Sequence, residues 1–270
     1  MTNASIIQVA NTTYSPSLAH TLAIYAKESK YEFLKLLRLR AFSLSTIGFP
    51  LVFYLLFGVA NRHSIAPGGF DIAKYLLASY ACFGMLGASL FGFGVGIATE
   101  RGQGWLEVKQ ASPMPPLAYL VAKVLAAMAF SLIIAILLIV MGMTMAEVRI
   151  TPMEIMKLIV TMLVGAIPFC SMGMIIGLKA KANAAAGIVN LIYLPLSFCS
   201  GLWIPMEALP KFLQKLAPAL PTYHVAQLAL HTVGFARGSG YWVHWQVLAG
   251  FTLLCLGAAQ YLFRRHESRA

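Results

Sequence analysis

Residues 118–145 read AYLVAKVLAAMAFSLIIAILLIVMGMTM, and this stretch decides the fold class. Its one charged residue, Lys123, lies close to its start, and every residue after it in the stretch is uncharged. A helix that crosses the hydrocarbon core of a bilayer needs about 20 predominantly apolar residues. The stretch is therefore predicted to be a transmembrane helix, with Lys123 at one of its ends.

Similar apolar stretches occur along the whole chain. They cover residues 41–60, 74–98, 153–178, 184–204 and 241–263. Hydrophobic residues make up 59% of the 270 residues and charged residues 11%, whereas soluble domains carry roughly 25% charged residues. The sequence predicts an all-α membrane protein whose six-span transmembrane domain, residues 41–263, leaves no room for a separate soluble domain.

The distribution of lysine and arginine predicts the orientation of these spans. With six spans, 13 of the 20 basic residues fall on the side that holds both chain termini and the loops near 99–123 and 179–181. Short loops rich in Lys and Arg stay in the cytoplasm. Both termini are therefore expected there, in a multi-pass protein of the bacterial inner membrane. The net charge of +11 is explained by the basic loops that set the topology and by their attraction to anionic membrane lipids. Nucleic acid is not an expected partner.

The segments that flank the spans are short and polar. Residues 1–19 and 264–270 are predicted cytoplasmic tails, and no cleavable signal peptide is expected. Residues 20–40 place Leu22, Tyr25 and Phe33 at helical spacing with charges largely elsewhere. This pattern is typical of an amphipathic helix in the headgroup region, an amino-terminal elbow before the first span. An ordinary cytosolic helix is the alternative.

Residues 205–235 are moderately apolar, but Pro205, Pro210, Pro218 and Pro221 divide them into pieces too short to cross a bilayer. We expect two short re-entrant helices in the outer leaflet, between the fifth and sixth spans, with their polar backbone ends buried in protein. A seventh span over 212–235 is the alternative, and it would place the carboxyl-terminal arginines outside.

Small residues in the second and fourth spans indicate close helix packing. Gly84, Ala88, Gly92 and Gly96 recur at four-residue spacing in the second span. Gly173 and Gly177 are similarly spaced in the fourth span. Small side chains let helix backbones approach each other closely in lipid, so we interpret both sets as packing surfaces.

No energy source or catalytic chemistry is apparent in the chain. No acidic or basic residue lies in the middle of a predicted span, which disfavours proton- or sodium-coupled transport. The phosphate-binding pattern G-x-x-x-x-G-K-[ST] is also absent from the sequence. The four cysteines and six histidines lack metal-ligand spacing, so no metal site is predicted.

The charge-dense loop at 99–117 reads TERGQGWLEVKQASPMPPL. Glycines precede a short segment that could form an amphipathic helix, and prolines end it. One interpretation is a solvated connection between the second and third spans. The other is a docking helix for a cytoplasmic partner.

Two sequence blocks resemble ABC type-2 exporter permeases. The first matches the motif of their first cytoplasmic loop with Glu100, Arg101, Gly104, Leu106, Glu107, Ser112, Pro113 and Lys123. The second follows the fifth span with Ser200, Gly201, Pro205, Pro210, Pro221 and His224. Trp105 stands where Thr or Ser is more usual. The resemblance extends over most of the chain, from the amphipathic helix to the sixth span.

The resemblance implies a permease subunit with an elbow helix, a coupling helix in the first loop and outer-leaflet re-entrant helices. Two permeases, identical or different, would pair, and each would dock one ABC ATPase subunit. ATP and Mg would bind to the ATPase subunits, so this chain would hold no cofactor and would not be an enzyme by itself. An amphipathic substrate, drug-like or lipid-like, would leave through the membrane along the interface between the two permeases.

Three groups of residues are the candidate sites under this resemblance. The coupling residues are Glu100, Arg101, Gly104, Trp105, Leu106 and Glu107. The substrate path would contain Phe49, Phe53, Tyr80, Phe83, Asn190, Tyr193 and Phe198. The re-entrant gate would contain Pro205, Pro210, Pro221 and His224. Glu100 and Arg101 are expected to anchor the loop, through a charged contact to the elbow helix or to the partner.

Two alternatives remain open at this point. The same machinery could export a lipid-linked glycan. The chain could instead be a non-transporting membrane assembly or sensory subunit, which would neither bind an ATPase nor move a substrate.

Overall fold

The computed structural model describes residues 18–66, 69–111, 114–235 and 240–267. The predicted tail at 1–19 therefore lies outside the described residues except for residues 18 and 19. Of the predicted tail at 264–270, residues 264–267 are the end of the last helix. The long helices are α1 (Leu18–Arg38), α2 (Arg40–Phe53), α3 (Ile72–Ser89), α6 (Pro116–Thr144), α7 (Pro152–Lys179), α8 (Ala182–Cys199), α10 (Pro221–Thr232) and α11 (Tyr241–Glu267). The short ones are α4 (Gly96–Gly102), α5 (Trp105–Gln110) and α9 (Lys211–Leu216). Strands β1 (Ile65–Ala66) and β2 (Phe70–Asp71) form a small antiparallel pair.

Six helical segments of the described chain are long and apolar enough to cross a membrane. They are Arg40–Val59, Ile72–Gly102, Leu117–Thr144, Pro152–Lys179, Ala182–Cys199 and Tyr241–Leu262. The predicted all-α architecture with six spans is confirmed. The ends of these helices are well defined where the sequence supplies caps. Thr151 and Glu154 form a capping box at the start of α7, and Asp71 accepts hydrogen bonds from the first amides of α3.

The second span forms the centre of the bundle. In its apolar 18-residue stretch 83% of the residues are buried, and the span packs against α2, α6, α7 and α10. Two π-helical turns interrupt the regular helices, at Tyr54–Val59 in the first span and at Leu90–Val95 in the second. In the first, fifth and sixth spans, by contrast, only 28%, 22% and 22% of the corresponding residues are buried. Each of them therefore leaves a broad apolar face uncovered.

Glycines let the second and fourth spans approach each other closely. A Cβ atom added to Gly177 would lie 2.7 Å from the Cβ of Ile97 and 3.0 Å from the oxygen of Gly94. A Cβ atom added to Gly173 would lie 3.0 Å from the Cβ of Phe93 and 3.2 Å from the nitrogen of Gly94. The predicted packing role of Gly173 and Gly177 is therefore visible in the backbone contacts, because no larger side chain fits at either position without displacement.

The segment between the fifth and sixth spans is broken as the prolines predict. It contains a 3₁₀ turn at Met206–Ala208, α9, a second 3₁₀ turn at Ala217–Ala219, and α10. Pro210 directly precedes α9 and Pro221 opens α10. With 12 residues, α10 is the longest helix there, so the alternative of a seventh span over 212–235 is wrong. How deep these helices lie in the outer leaflet stays a prediction.

Candidate coupling loop and substrate groove

Five side chains from three helical segments form a buried ionic network, which we name the inner charge cluster. Its members are Glu32 and Lys35 of α1, Glu100 of α4, and Tyr119 and Lys123 of α6. The Lys123 ammonium lies 2.6 Å from Glu32 Oε1 and 3.1 Å from Glu100 Oε1. Lys35 donates to Glu32 Oε2 at 3.1 Å and also to Glu100 Oε1. The Tyr119 hydroxyl donates to Glu100 Oε2, so both oxygens of Glu100 are occupied.

The inner charge cluster is electrically balanced, which allows its charges to be buried. Lys123 is 2% exposed, Glu32 3% and Glu100 7%. Isolated charges at such positions would be very costly, but two ammonium groups here face two carboxylates. Burial lowers the pKa of Lys35, yet the hydrogen bond to Glu100 and the charge of Glu32 outweigh this and raise the pKa. The cluster joins α1 to the second and third spans.

Arg101 connects the loop after the second span to the end of the fourth. Its Nη2 atom donates to the oxygen of Ala180 at 2.6 Å, and its Nη1 atom donates to the oxygen of Leu178. The last carbonyl groups of a helix have no partners within that helix. Arg101 therefore caps α7. Lys109 of α5 in turn pairs with Glu28 of α1, so both ends of this loop are fastened.

Helix α5 has one face on the bundle and one face exposed. Gly104, with a positive φ of 76°, makes the turn that reverses the chain before α5, a conformation that favours glycine. Leu106 packs on the cluster that contains Tyr119. Trp105 and Val108 are 55% and 59% exposed. Since they are three residues apart on a helix, they share one face, which we name the docking face.

The structure divides the predicted coupling residues into two groups. Glu100 and Arg101 bind other parts of the same chain, and Glu100 pairs with Lys35 of α1. The role of α1 as an elbow helix stays a prediction. Trp105 points outward. The side chain of Glu107 and residues Ser112 and Pro113 lie outside the described part of the chain. A role of any of these residues in coupling stays a prediction.

The sequence did not reveal the burial of two members of the inner charge cluster. Lys123 was counted among the basic residues of the inner loop, yet it is buried and pairs with a residue 91 positions away. Glu32 is not distinguished by the sequence from the other charges of α1, yet it is buried. The single lysine at the start of an otherwise uncharged span was the signal available in the sequence.

A groove of about 700 Å³ lies between α2 and α8, with the second span as its floor. Five of the seven predicted path residues line it: Phe49, Phe53, Phe83, Asn190 and Tyr193. Tyr80 is buried and stacks behind Phe53, with ring centroids 6.1 Å apart. Phe198 is 41% exposed and is not a lining residue. Five of the seven predicted path residues therefore lie in one groove, whereas Tyr80 and Phe198 do not line it. A role of any of them in a substrate path stays a prediction.

The half of the groove that lies farther from the inner charge cluster is aromatic. The Phe53 ring lies 4.7 Å from that of Trp203 and 6.2 Å from that of Phe83. Phe83 also stacks on Tyr193 at 4.8 Å, and the Tyr193 hydroxyl donates to the Phe83 carbonyl. Trp203 lies near the end of the predicted fifth stretch, 184–204, and the sequence did not single it out. In the structure α8 ends at Cys199, and Trp203 reaches the groove from the irregular segment that follows.

At the opposite end of the bundle, α10 is tied to its neighbours by polar contacts. The Nδ1 atoms of His224 and His244 are 2.8 Å apart, and His224 Nε2 donates to the carbonyl of Pro218 at 2.9 Å. Burial lowers the pKa of His224, and the hydrogen bond to Pro218 opposes this in part. Ser200 is hydrogen-bonded to Thr222. The role of Pro205, Pro210, Pro221 and His224 as a gate stays a prediction.

Comparisons with known proteins agree with this architecture. The family model described as ABC-2 type transporter matches residues 28–233. The chain is also 29% identical over 246 residues to "Putative transport permease YvfS" of Bacillus subtilis (strain 168), covering 91% of this chain and 99% of that protein. The matched region contains the inner charge cluster, the docking face and the groove. The chain belongs to the ABC-2 type transporter family and is a multi-pass membrane subunit of an ABC transporter.

Proposed function

We propose that the chain is the permease subunit of an ATP-driven exporter in a bacterial inner membrane, with both termini in the cytoplasm. Two such chains, identical or different, would pair, and each would bind one ABC ATPase subunit that carries ATP and Mg. The observation that carries the proposal is the exposed docking face of Trp105 and Val108, on a loop fastened to three other helices. Family membership supports association with an ATPase subunit.

The contacts of the loop suggest how force would be transmitted. An ATPase that moves α5 would pull on α1 through Lys109 and on the end of α7 through Arg101. The second span continues directly into α4, so it would move with the loop. The first span follows α1 and the fifth follows α7 in the chain. Movement of the loop would therefore change the width of the groove between α2 and α8.

The exported molecule would occupy this groove. Its volume of about 700 Å³ falls within the range of small-molecule sites, roughly 300–1,000 Å³. The apolar faces of α2 and α8 are largely uncovered, and pairing of two chains along these faces would enclose the groove. Residues 205–235 at the outer end would form the gate through which the substrate leaves.

The coupling role is tested by Trp105→Ala in the full complex. We expect this variant to lose most of its bound ATPase and of its substrate-stimulated hydrolysis while its thermal stability stays unchanged, because the side chain is exposed. Trp242→Ala is the matched control, since Trp242 is 74% exposed at the opposite end of the bundle. Normal ATPase binding and stimulation in Trp105→Ala would refute the docking face.

Charge reversal of Glu100 and Arg101 is a second, less specific test. Both residues bind within the chain, so their reversal should disrupt the loop as well as coupling. Reversal of the Lys74–Glu154 pair, 2.7 Å apart at the other end, is the control. If ATPase co-purification and stimulated hydrolysis both survive reversal of Glu100 and Arg101, the coupling role of this loop is wrong.

A further inference from the structure

The charged groups that line the groove are occupied by one another. Of the described residues that line it, Lys35 and Glu100 are the two that carry a charge. Lys35 donates to both oxygens of Glu32 and to Glu100. Glu100 also accepts from Lys123 and Tyr119. The described lining of the groove therefore offers a ligand neither an unpaired cation nor an unpaired anion.

Two uncharged polar side chains of the groove, by contrast, form no hydrogen bond with the described part of the chain. One is Asn190, whose side chain is exposed and lines the groove. It lies at the middle of the 18-residue span Ala182–Cys199. The other is Thr46, which lines the groove from α2. Each wall of the groove thus presents one free polar group inside a membrane span.

The two free groups lie at similar depths. Helix α2 begins at Arg40 and α8 at Ala182, both at the end of the bundle that holds the inner charge cluster. Since a helix rises by about 1.5 Å per residue, Thr46 lies about 9 Å and Asn190 about 12 Å along its helix. The aromatic wall around Phe53 begins beyond them. The groove therefore has a polar band at this depth and an apolar surface farther on.

A free carboxamide is costly at this depth, because hydrocarbon offers it no hydrogen bonds. The Asn190 side chain can both donate and accept, and so can the hydroxyl of Thr46. The neighbouring hydroxyls of Ser45 and Tyr193 already donate to backbone carbonyls. A ligand group that both donates and accepts would satisfy the free groups. An ionised ligand group would lack the counter-charge that its burial requires.

We infer that Asn190 and Thr46 bind the polar group of the exported molecule, and that this molecule is an uncharged amphiphile. Its polar group would both donate and accept hydrogen bonds, as a carboxamide or a hydroxyl does. Its apolar part would lie against the aromatic wall around Phe53. This inference names the substrate class of the groove and rests on the proposed function.

Binding to the full-length permease in phosphatidylcholine nanodiscs tests this inference. Four probes would share one fluorescent naphthyl-alkyl chain and end in a carboxamide, an isopropyl group of the same shape, a carboxylate or a trimethylammonium group. Empty nanodiscs correct for partition into lipid. We expect the carboxamide probe to bind about fivefold more tightly than the isopropyl probe, because a hydrogen bond contributes about this much. The two charged probes should bind no more tightly than the isopropyl probe.

Variants show whether the preference comes from the polar band. Asn190→Leu should abolish the preference for the carboxamide, and Thr46→Val should lower it. Asn183→Leu is the matched control and should leave it unchanged, since Asn183 is exposed on the same helix but does not line the groove. Phe53→Ala should weaken the binding of all four probes alike. Equal binding of the carboxamide and isopropyl probes, tighter binding of a charged probe, or a carboxamide preference that survives in Asn190→Leu would overturn the inference.

A second copy of the chain is the competing partner for Asn190, because α8 has a largely uncovered face. Pairing of permeases in the nanodiscs would therefore be measured for the same variants, from the mass of the intact complex. We expect Asn190→Leu to pair as the wild type does. Loss of pairing in this variant, with an unchanged preference for the carboxamide probe, would assign Asn190 to the interface between permeases and overturn the inference.

Recruitment of an ATPase separates this inference from the proposed function. Selective binding of the carboxamide probe by a permease that recruits no ATPase would refute the exporter proposal and leave the ligand class standing. Recruitment of an ATPase by a permease without this selectivity would refute only the ligand class.

Discussion

Lys123→Met should destabilise the protein strongly, because it removes one of the two cations of the inner charge cluster. The methionine has a similar length but no charge. Glu32 and Glu100, 3% and 7% exposed, would then share only Lys35. Removal of one partner from a buried ion pair costs about 3–5 kcal/mol. We expect a value near the lower end, about 3 kcal/mol, because Lys35 remains and contacts both carboxylates.

The assay is thermal unfolding of the purified protein in detergent. For chains of 150–250 residues, 1 kcal/mol corresponds to about 2–4 °C, so the midpoint should fall by about 6–12 °C. Lys74→Met is the matched control. The Lys74 ammonium lies 2.7 Å from Glu154 Oε1, but this ion pair is more accessible, with side chains 16% and 21% exposed. Ion pairs that remain in contact with solvent contribute about 0–1 kcal/mol to stability. The unfolding midpoint of Lys74→Met should therefore fall by a few degrees at most.

A double variant tests the reason for the loss. Adding Glu32→Gln to Lys123→Met leaves one carboxylate and one ammonium in the cluster, so charge balance returns and part of the lost stability should be recovered. The reasoning is refuted if the unfolding midpoint of Lys123→Met falls by no more than that of Lys74→Met. It is also refuted if the double variant is less stable than Lys123→Met alone.

Three further predictions follow from local contacts. Gly177→Ala should lower the free energy of unfolding by about 1–3 kcal/mol through overpacking, because the added Cβ would lie 2.7 Å from the Cβ of Ile97. Gly187→Ala is the control: open space surrounds this position, so the variant should be neutral or slightly stabilising in the same thermal assay. Arg101→Gln should speed tryptic cleavage at Lys179 and Lys181 about tenfold by uncapping α7; an unchanged cleavage rate would contradict the cap. Burial lowers the pKa of His224, so the neutral form of its side chain is favoured in the folded state. The free energy of unfolding should therefore rise with pH up to about 6.5, the ordinary pKa of histidine, and then level off. His224→Phe should flatten that rise, and an equally steep profile in the variant would show that His224 is not its source.

Most of the fold could be predicted because a transmembrane helix is a local property of the sequence. A run such as residues 118–145 determines both its structure and its environment. Pro205, Pro210 and Pro221 each stand at the start of a short helical segment. Close packing of Gly173 and Gly177 could also be predicted from their spacing. Each of these signals lies within one helix or turn.

The charge cluster could not be predicted in this way, because its pairs join distant parts of the chain. Lys35 and Glu100 are 65 residues apart, and Lys123 and Glu32 are 91 apart. On a helical wheel Glu32 looks like any solvated charge of α1; only the position of α6 against α1 shows that it is buried. The place of Trp203 in the groove could not be predicted for a similar reason, since its contact with Phe53 joins parts of the chain that are far apart in sequence.

The subunit composition of the complex tests the exporter account most directly. The tagged full-length chain would be isolated from the membranes of its native host in a mild detergent, and the mass of the intact complex would be determined. We expect two permease chains with two ATPase subunits, and paired permeases without ATPase in Trp105→Ala. Isolation of the wild-type chain without any ATPase subunit, under conditions that preserve permease pairing, would contradict the account.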